Sequence, residues 1–468
     1  MTSIPEYSPR TSPSGTPTKR DLIGARMDRL PHGRIHTLVL ICSSIMFVFE
    51  ICDQGAIGLA ATPVRAYFHS DLNGVAFAVS ATYFGLLVGS VVAGRSDHLG
   101  RRGLLAWGVA GMSVFSGLSG ASTSLVMLVV LRFLSGLGLG IVYITLIVYV
   151  SEMFRARRRA LVIGLGVGLG TVANIGLTRL AEHVVPMGAN GWRVIFFVGF
   201  AGLVAVPFFR HLPESPRWLA AHGREAEAEV IVRGMEAEAE ARRGAPLPEP
   251  EPPLAQPVEE TPAKDRDDTR ALFRGKFLIG MVMSMIIWIG FSLGQQLMNS
   301  WAPTVLGLRG FTPQQALNTH SYMLTGTLIG SAIAVLAGNR IPRRAGLIVF
   351  GTFGAVAFVV FGLSTSHLVI ALAGAGVHIA VGMNTPLANT FVAERFPTQL
   401  RARGSGITYS VGRLTNVIAP FTIAGALEAL GYKAAAWGGF AAWGLVALVV
   451  AVLGGNRWRT GEEADRAM

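Results

Sequence analysis

Two carboxylates lie inside the first long apolar stretch of the chain. In "FVFEICDQGAIG", residues 47–58, Glu50 and Asp53 stand three positions apart, so on a helix they share a face. A charge at membrane depth costs about 3 kcal/mol or more unless it is paired, faces water or takes up a proton. Two acids in an apolar helix could therefore bind and release a proton, which is the chemistry of proton-coupled transport.

A buried arginine is available as a partner for one of these acids. Asp53 and Arg132 each lie about seven residues from the same end of their apolar segments, which is roughly 10 Å of helix. A nearby arginine lowers the pKa of a carboxylate and burial raises it, so a site that moves between these environments can carry a proton. We predict Asp53 as the proton-coupling site, Glu50 as a second candidate and Arg132 as the partner. The alternative is a static ion pair that fixes helix packing.

Further polar side chains interrupt apolar segments in the second half of the chain. Arg413 lies near the middle of such a segment, and its guanidinium could hold a substrate carboxylate through two hydrogen bonds. A salt bridge to Glu50 is the alternative. Four other residues are predicted to contact substrate, with simple packing as the alternative for each: Gln295, Gln296, Asn299 and His378. The aromatic rings of Trp288 and Trp301 could line the same cavity.

Long apolar segments must position these residues. Of 468 residues, 51% are hydrophobic and only 15% are charged, whereas soluble domains carry about 25% charged residues. Many segments are long enough to cross the roughly 30 Å hydrocarbon core as helices. The sequence predicts an all-α membrane protein with twelve transmembrane helices, at about 37–60, 75–94, 103–122, 125–150, 160–180, 192–210, 277–300, 319–338, 345–364, 367–391, 404–427 and 434–454.

The placement of basic residues predicts the topology. The net charge is +12, and 33 of the 40 Lys and Arg residues fall in the tails and loops of one side. By the positive-inside rule that side is cytoplasmic, so both termini are predicted inside and the protein in the plasma membrane. The same asymmetry accounts for the basic charge without a nucleic-acid partner.

The polar segments divide the chain. The stretch after the sixth apolar segment combines helix-forming, mixed-charge sequence with a Pro/Glu-rich linker, and reads as a connector or as a regulatory docking site. Residues 1–20, rich in Pro, Ser and Thr, are predicted to be disordered. The predicted regions are a cytoplasmic tail (1–36), a six-helix half (37–210), a cytoplasmic central loop (211–276), a second six-helix half (277–454) and a cytoplasmic tail (455–468).

The two halves share an internal repeat. "SEMFRARRRA" at 151–160 and "AERFPTQLRA" at 393–402 match at an offset of 242 residues. The same offset places the Arg pair of "GRSDHLGRR" on the Arg pair of "GNRIPRR". One constant offset at two separate loops predicts two pseudo-symmetric halves.

These motifs resemble those of the major facilitator superfamily over essentially the whole chain. "AGRSDHLGRR" is similar to the superfamily pattern G-x-L-A-D-x-x-G-R-R, with Ala93 and Arg95 as departures, and "LRFLSGLGLG" is similar to R-x-x-x-G-x-G. "PESPRWL" and "ERFPTQLRARG" resemble the sugar-porter and metabolite:proton symporter branches. "WAPT" and the acidic pair of the first span look more like the aromatic-acid and metabolite symporters.

The resemblance implies a gate at the cytoplasmic side, where ion pairs close the outward-open state and separate on inward opening. Solvated charges that only set topology are the alternative. The residues at these positions are Asp97, Gly100, Arg101, Arg102, Glu152, Arg159, Glu394 and Arg401.

The sequence thus predicts a proton-coupled symporter for a small organic solute, such as an aromatic or short carboxylate, that works by alternating access. The proton gradient would drive it without a cofactor, and its partners would be substrate, protons and the lipid bilayer, with the chain monomeric. A sugar-porter-like carrier or a facilitator of a neutral solute is the main alternative. A drug/proton antiporter or a non-transporting sensor fits less well, and no metal-ligand spacing or catalytic motif indicates an enzyme.

Overall fold

The structure is a computed structural model that describes residues 19–250, 272–337, 340–396 and 398–454. Within these ranges the chain is helical and contains no strand. The helices before the central gap are α1 (Lys19–Arg29), α2 (Arg34–Tyr67), α3 (Leu72–Arg95), α4 (Arg101–Ser119), α5 (Leu125–Met153), α6 (Ala156–Val184), α7 (Trp192–Phe197), α8 (Pro216–Ala221) and α9 (Glu225–Arg243).

After the gap follow α10 (Gly275–Gln296), α11 (Ala302–Leu308), α12 (Pro313–Ala337), α13 (Arg343–Leu363), α14 (His367–Ala393), α15 (Thr398–Leu430) and α16 (Lys433–Leu453). Two segments extend these helices without a break. A 3-10 helix over Val198–His211 continues α7, and a π-helical turn over Leu297–Trp301 joins α10 to α11.

Ten segments of the described chain are helical, long and apolar enough to cross a membrane. The two predicted spans that fall short are α4, which begins with Arg101 and Arg102, and α15, which carries Arg413 among several hydroxyl residues. Both pack among the spanning helices, α4 against α5 and α15 against α10. The predicted all-α membrane fold of twelve helices is confirmed.

Helix pairing repeats between the halves. The offset of 242 residues carries the start of α4, Arg101, onto the start of α13, Arg343, and the end of α3, Arg95, onto the end of α12, Ala337. The pair α3–α5 corresponds to α12–α14, and the pair α2–α6 corresponds to α10–α15. Glycines allow the first of these pairs to pack closely, because a Cβ at Gly136 or Gly140 would collide with the backbone of α3. The predicted pseudo-symmetry is therefore present in the packing.

At one end of the bundle α1 docks on α8 and α9. We call this the basic end, since the basic loops 95–102, 155–159 and 340–344 lie there. Arg26 donates to Glu229 at 2.6 Å and to Glu236 at 2.5 Å, and Arg29 also donates to Glu236. Burial would raise the pKa of Glu236, but the hydrogen bonds from both arginines lower it below its ordinary value.

Helix α9 belongs to the region predicted as the central loop. That region therefore contains a helix docked on α1 and is more than a connector. The predicted disorder of residues 1–20 falls almost entirely outside the described residues, as does the predicted tail 455–468.

The two halves contact each other at the opposite end, which we call the far end. Helix α3 packs on α15 there, and α6 packs on α12. The polar and aromatic contacts are Asn318 to Glu182 (2.7 Å), Asn73 to Glu428 (3.2 Å), Ser80 to the carbonyl of Val417 (2.6 Å) and the Phe77–Phe421 ring pair (centroids 4.9 Å).

A glycine allows the backbones of the two halves to approach closely. A Cβ built on Gly58 of α2 would lie 2.7 Å from Cα of Ser300, in the π-helical turn of the second half. Backbone cannot move aside as a flexible side chain can, so this position has room for hydrogen only. Together these contacts hold the far end closed.

Candidate functional site

Asp53 lies at the centre of a buried hydrogen-bond cluster. Its Oδ1 accepts from Nη1 of Arg132 at 3.0 Å and from the Ser116 hydroxyl, and its Oδ2 accepts from the Ser135 hydroxyl at 2.8 Å. The side chain of Arg132 is 0% exposed and that of Asp53 is 4% exposed. The predicted meeting of these two residues is present in the structure.

Arg132 is fixed by further contacts within the first half. Its Nε donates to the Ser119 hydroxyl at 3.0 Å, and the guanidinium carbon lies 4.9 Å from the ring centroid of Phe196. Its Nη2 is buried without a hydrogen-bond partner. Because α2, α4, α5 and α7 supply every one of these groups, the Asp53 cluster belongs to one half and can move with it as a unit.

Glu50 lies one turn away in a different setting. It is 4% exposed and accepts a hydrogen bond of 2.6 Å from Gln54 on its own helix. The charge of Arg413, from the second half, acts on it, although the two form no direct ion pair in the described chain. The salt bridge considered as an alternative for Arg413 is therefore absent from this conformation.

Arg413 is held against aromatic rings where the halves meet. Its guanidinium carbon lies 4.5 Å from the ring centroid of Tyr143 on α5 and 5.1 Å from that of Tyr409 on α15. Nη2 donates to the Tyr409 hydroxyl at 2.9 Å, and the two tyrosine hydroxyls are 3.4 Å apart. Trp288 of α10 meets Tyr409 edge-on at 5.0 Å. The result is a partly buried cation with an aromatic lining contributed by both halves.

The predicted amides of α10 flank this cluster in different environments. Gln295 is exposed and stands seven residues after Trp288, so it shares the helix face that meets α15. Gln296 is 2% exposed, and its Nε2 lacks a partner. Asn299 falls in the π-helical turn, which brings its carbonyl beside Gly58 of the first half. Short π segments of this kind often occur at functional sites.

His378 lies apart from the other predicted substrate residues. It is fully buried between α14 and α12, with Nδ1 3.1 Å from the Thr327 hydroxyl and its ring 6.2 Å from that of His320. These contacts are all inside the second half. The structure therefore does not join His378 to the Arg413 cluster.

A family model described as Major Facilitator Superfamily matches residues 43–420. The chain belongs to this superfamily. It is thus a multi-pass membrane transporter and not an enzyme.

Individual relatives and solved structures agree with this assignment. The transporter is 27% identical to the putative metabolite transport protein YyaJ of Bacillus subtilis (strain 168), over 87% of this chain and 89% of that protein. It is 25% identical to the niacin transporter NiaP of Acinetobacter baylyi, over 86% of this chain and 90% of that protein. The xylose transporter XylE from E. coli, in a partially occluded inward open conformation, matches with a TM-score of 0.70 at 16% identity, covering 88% and 96% of the two chains.

Three of the predicted gate residues take part in matching ion pairs at the basic end of the transporter, together with Arg343, which was not predicted as a gate residue. Arg101 donates to Glu152 at 2.8 Å in the first half, and Arg343 pairs with Glu394 in the second. These four residues are related by the repeat offset. Arg159 donates to the Phe154 carbonyl instead. Each ion pair thus lies within one half.

The structure shows little about the role of two predicted gate residues, Asp97 and Arg401. The side chain of Asp97 is outside the described part of the structure, and no contact between Arg401 and Glu394 is seen in the described residues. Arg102 lies at the start of α4, where its backbone N–H donates to Glu214 at 3.2 Å.

Glu214 is a residue that sequence reasoning missed, although it lies in the quoted "PESPRWL". It accepts from the backbone N–H of Arg101 at 2.9 Å and so satisfies a free donor at the N-terminus of α4. Gly100 precedes this turn with a φ of +81°, and a Cβ there would strike the Glu214 carboxylate. The positive φ favours glycine at this position of the loop motif, and a side chain would in addition displace the Glu214 carboxylate.

The tyrosine partners of Arg413 and the serine partners of Asp53 were also missed, whereas the ring of Trp288 was predicted to line the cavity. Tyr409 stands four residues before Arg413, so helical spacing could have placed it on the same face. Tyr143 and the serines that surround Asp53 come from other helices, and their spacing in the sequence carries no such signal.

Proposed function

We propose that this transporter carries a small organic anion, such as an aromatic or short carboxylate, together with protons by alternating access. The observation that carries the proposal is the Arg413 guanidinium, half-buried between tyrosine rings where the two halves meet. Among the described residues only one of its nitrogens has a hydrogen-bond partner, the Tyr409 hydroxyl. The remaining donors are free to bind a carboxylate, and the rings of Tyr143 and Trp288 offer flat apolar surface to its body.

The relatives support an anionic substrate. One of them is named for niacin, which is a small aromatic carboxylate. A guanidinium beside aromatic rings is chemically suited to that class of molecule.

The Asp53 cluster supports proton coupling. With the far end closed, the Asp53 carboxylate accepts hydrogen bonds from Arg132, Ser116 and Ser135. In the opposite conformation, a rearrangement inside the first half that loosened the contact with Arg132 would let the same carboxylate take up a proton. Proton release would then accompany the return to the conformation seen here, and the proton gradient would drive the cycle without a cofactor.

We further propose that the basic end faces the cytoplasm, with the protein monomeric in the plasma membrane and both termini inside. The far end is then the outer end, and the structure is an outer-closed state. The pairs Arg101–Glu152 and Arg343–Glu394 would rearrange when the basic end closes, so that they act as the inner gate.

The test is uptake into proteoliposomes of purified protein, with and without an imposed pH gradient (inside alkaline). Benzoate and nicotinate should accumulate only with the gradient, and Arg413→Gln should abolish their uptake. Xylose serves as the neutral arm, because the exposed Gln295 and the unpartnered amide of Gln296 could instead bind sugar hydroxyls. Uptake of xylose but of neither carboxylate would replace the proposal with a sugar carrier.

A further inference from the structure

A cavity of about 210 Å³ lies at the far end, away from Arg413. Its walls come from both halves of the transporter. Helix α2 contributes Thr62 and Arg65, and the turn after α6 contributes Val185. The opposite side comes from α11, α12 and the turn between them, which supplies Phe311. The cavity therefore spans the line along which the halves separate.

Arg65 is the unusual residue of this cavity. Three other arginines at the far end have partners among the described residues. Arg193 donates to the carbonyls of Gly120 and Ser122, Arg309 donates to those of Phe361 and Ser364, and Arg179 pairs with Glu182 at 2.9 Å. Arg65 is partly buried, and its guanidinium forms no hydrogen bond or ion pair with the described residues. Its position in the last turn of α2 suits a cation, because of the helix dipole, but does not explain why it lines a cavity.

The lining contains a second polar residue. The hydroxyl of Thr304 is buried and has no hydrogen-bond partner among the described residues, the residue being only 5% exposed. The remaining lining is largely apolar, including Leu59, Leu308 and Phe311. A buried polar atom without a hydrogen bond costs about 1–3 kcal/mol, so a ligand or water that satisfied it would be favoured.

Shape and chemistry together indicate the ligand class. A dry engineered cavity of about 150 Å³ holds benzene, so 210 Å³ of mainly apolar space accommodates a ring with a small substituent. A guanidinium at the rim selects a negative substituent, and the hydroxyl of Thr304 can donate to it.

We propose that this cavity is a second anion site, which binds a compact organic carboxylate at Arg65 while the outer end is closed. Because both halves form its walls, the site is dismantled when the outer end opens. A ligand bound only to one of two conformations shifts the population toward it. External carboxylate at this site therefore holds the transporter outer-closed and slows uptake. The effect on uptake rests on the substrate and orientation proposed above, whereas binding at Arg65 does not.

The binding test uses full-length purified protein and radiolabelled benzoate in equilibrium dialysis. Wild type should show two classes of benzoate site, one at Arg413 and one at Arg65. In Arg65→Gln the Arg65 class should bind benzoate about tenfold or more weakly, because the charged hydrogen bond is lost. Thr304→Val should weaken the same class by a smaller factor. Lys433→Gln is the matched control, since it removes an exposed cation at the same end and outside this cavity, and should bind as wild type.

Two results would overturn the proposal. One is an Arg65→Gln isotherm identical to that of wild type. The other is equal weakening by Arg65→Gln and Lys433→Gln, which would indicate a general surface potential. Arg413→Gln separates this inference from the proposed function, because it should remove the other class of site and leave the Arg65 class intact.

Uptake provides the second readout. For wild type, the initial rate of benzoate uptake should pass through a maximum and decline at high external benzoate. Arg65→Gln should show no such decline, and at low benzoate its uptake rate should equal that of wild type. If the decline persists in Arg65→Gln, the site does not control conformation.

Discussion

The transporter contains two acid–arginine combinations at neighbouring depths, and they are built differently. Asp53 and Arg132 are in direct contact, fully buried and surrounded by hydroxyl donors of a single half. Glu50 and Arg413 come from different halves, interact without direct contact, and have Gln54 and Tyr409 as their hydrogen-bond partners.

The difference separates two tasks. A compact pair within one half can change its protonation without rearranging the interface between halves. A separated pair across that interface leaves donors available and changes geometry whenever the halves move. We therefore assign proton binding to the first combination and substrate binding to the second, and the following predictions test that division.

The largest effect is expected from Asp53→Asn, which mimics a permanently protonated acid. Accumulation of benzoate against its gradient should be lost entirely, while exchange of benzoate across the membrane, which needs no net proton movement, should continue at least in part. Loss of one partner of a buried pair costs about 3–5 kcal/mol, so retained exchange also shows that the variant is folded. Continued uphill uptake by Asp53→Asn would exclude Asp53 as the coupling site.

Arg413→Lys should have the next largest effect. It keeps the charge but loses the planar fork, so benzoate should bind about ten- to a hundredfold more weakly while the response to the pH gradient remains. The measurement is the benzoate dissociation constant by equilibrium dialysis. Tyr409→Phe is the control, since it retains the ring and loses only the hydroxyl. An unchanged dissociation constant in Arg413→Lys would remove the carboxylate anchor.

Glu50→Gln should strengthen benzoate binding, whereas Arg413→Lys should weaken it. Removing a negative charge near Arg413 should strengthen binding of an anion by about tenfold, since like charges repel strongly where water is excluded. Some uphill transport should survive. Dialysis at pH 8 and gradient-driven uptake give the two readouts. If uphill transport disappears and affinity stays constant, the assignments of Glu50 and Asp53 must be exchanged.

The smallest effect is expected from Ser135→Ala, which removes one of three donors to Asp53. Arg132 and Ser116 still donate to the carboxylate, so the accumulation ratio should change by about threefold or less. The measurement is gradient-driven uptake of benzoate. A loss of accumulation as large as that of Asp53→Asn would show that the two remaining donors do not maintain the Asp53 cluster.

Much of the fold was predictable from the sequence. Apolar segment length and the offset of 242 residues predict the helices and their pseudo-symmetry, because a helix must satisfy its own backbone in lipid. The docking of α1 on α9 was not predicted, since it depends on charges more than two hundred positions apart, such as Arg26 and Glu236.

The site was predictable only in part. The depth of a residue in the membrane, estimated from the rise per residue along its helix, is enough to predict that Asp53 and Arg132 can meet. The separation of His378 from Arg413 depends on which way each helix is rotated, and an apolar segment with no clear amphipathic face carries little information on rotation. The unpaired state of Arg65 is likewise invisible until its neighbours are known.

Gly58 has a consequence for the timing of the transport cycle. Any side chain there would press on the Ser300 backbone only while the far end is closed, and would meet no such contact once the far end opens. A methyl group at this position would thus leave the contacts of Arg413 unchanged and shorten the dwell time in the closed state. Substitution of residue 58 would lengthen the time that the transporter spends with its far end open before it changed the affinity for a ligand of Arg413.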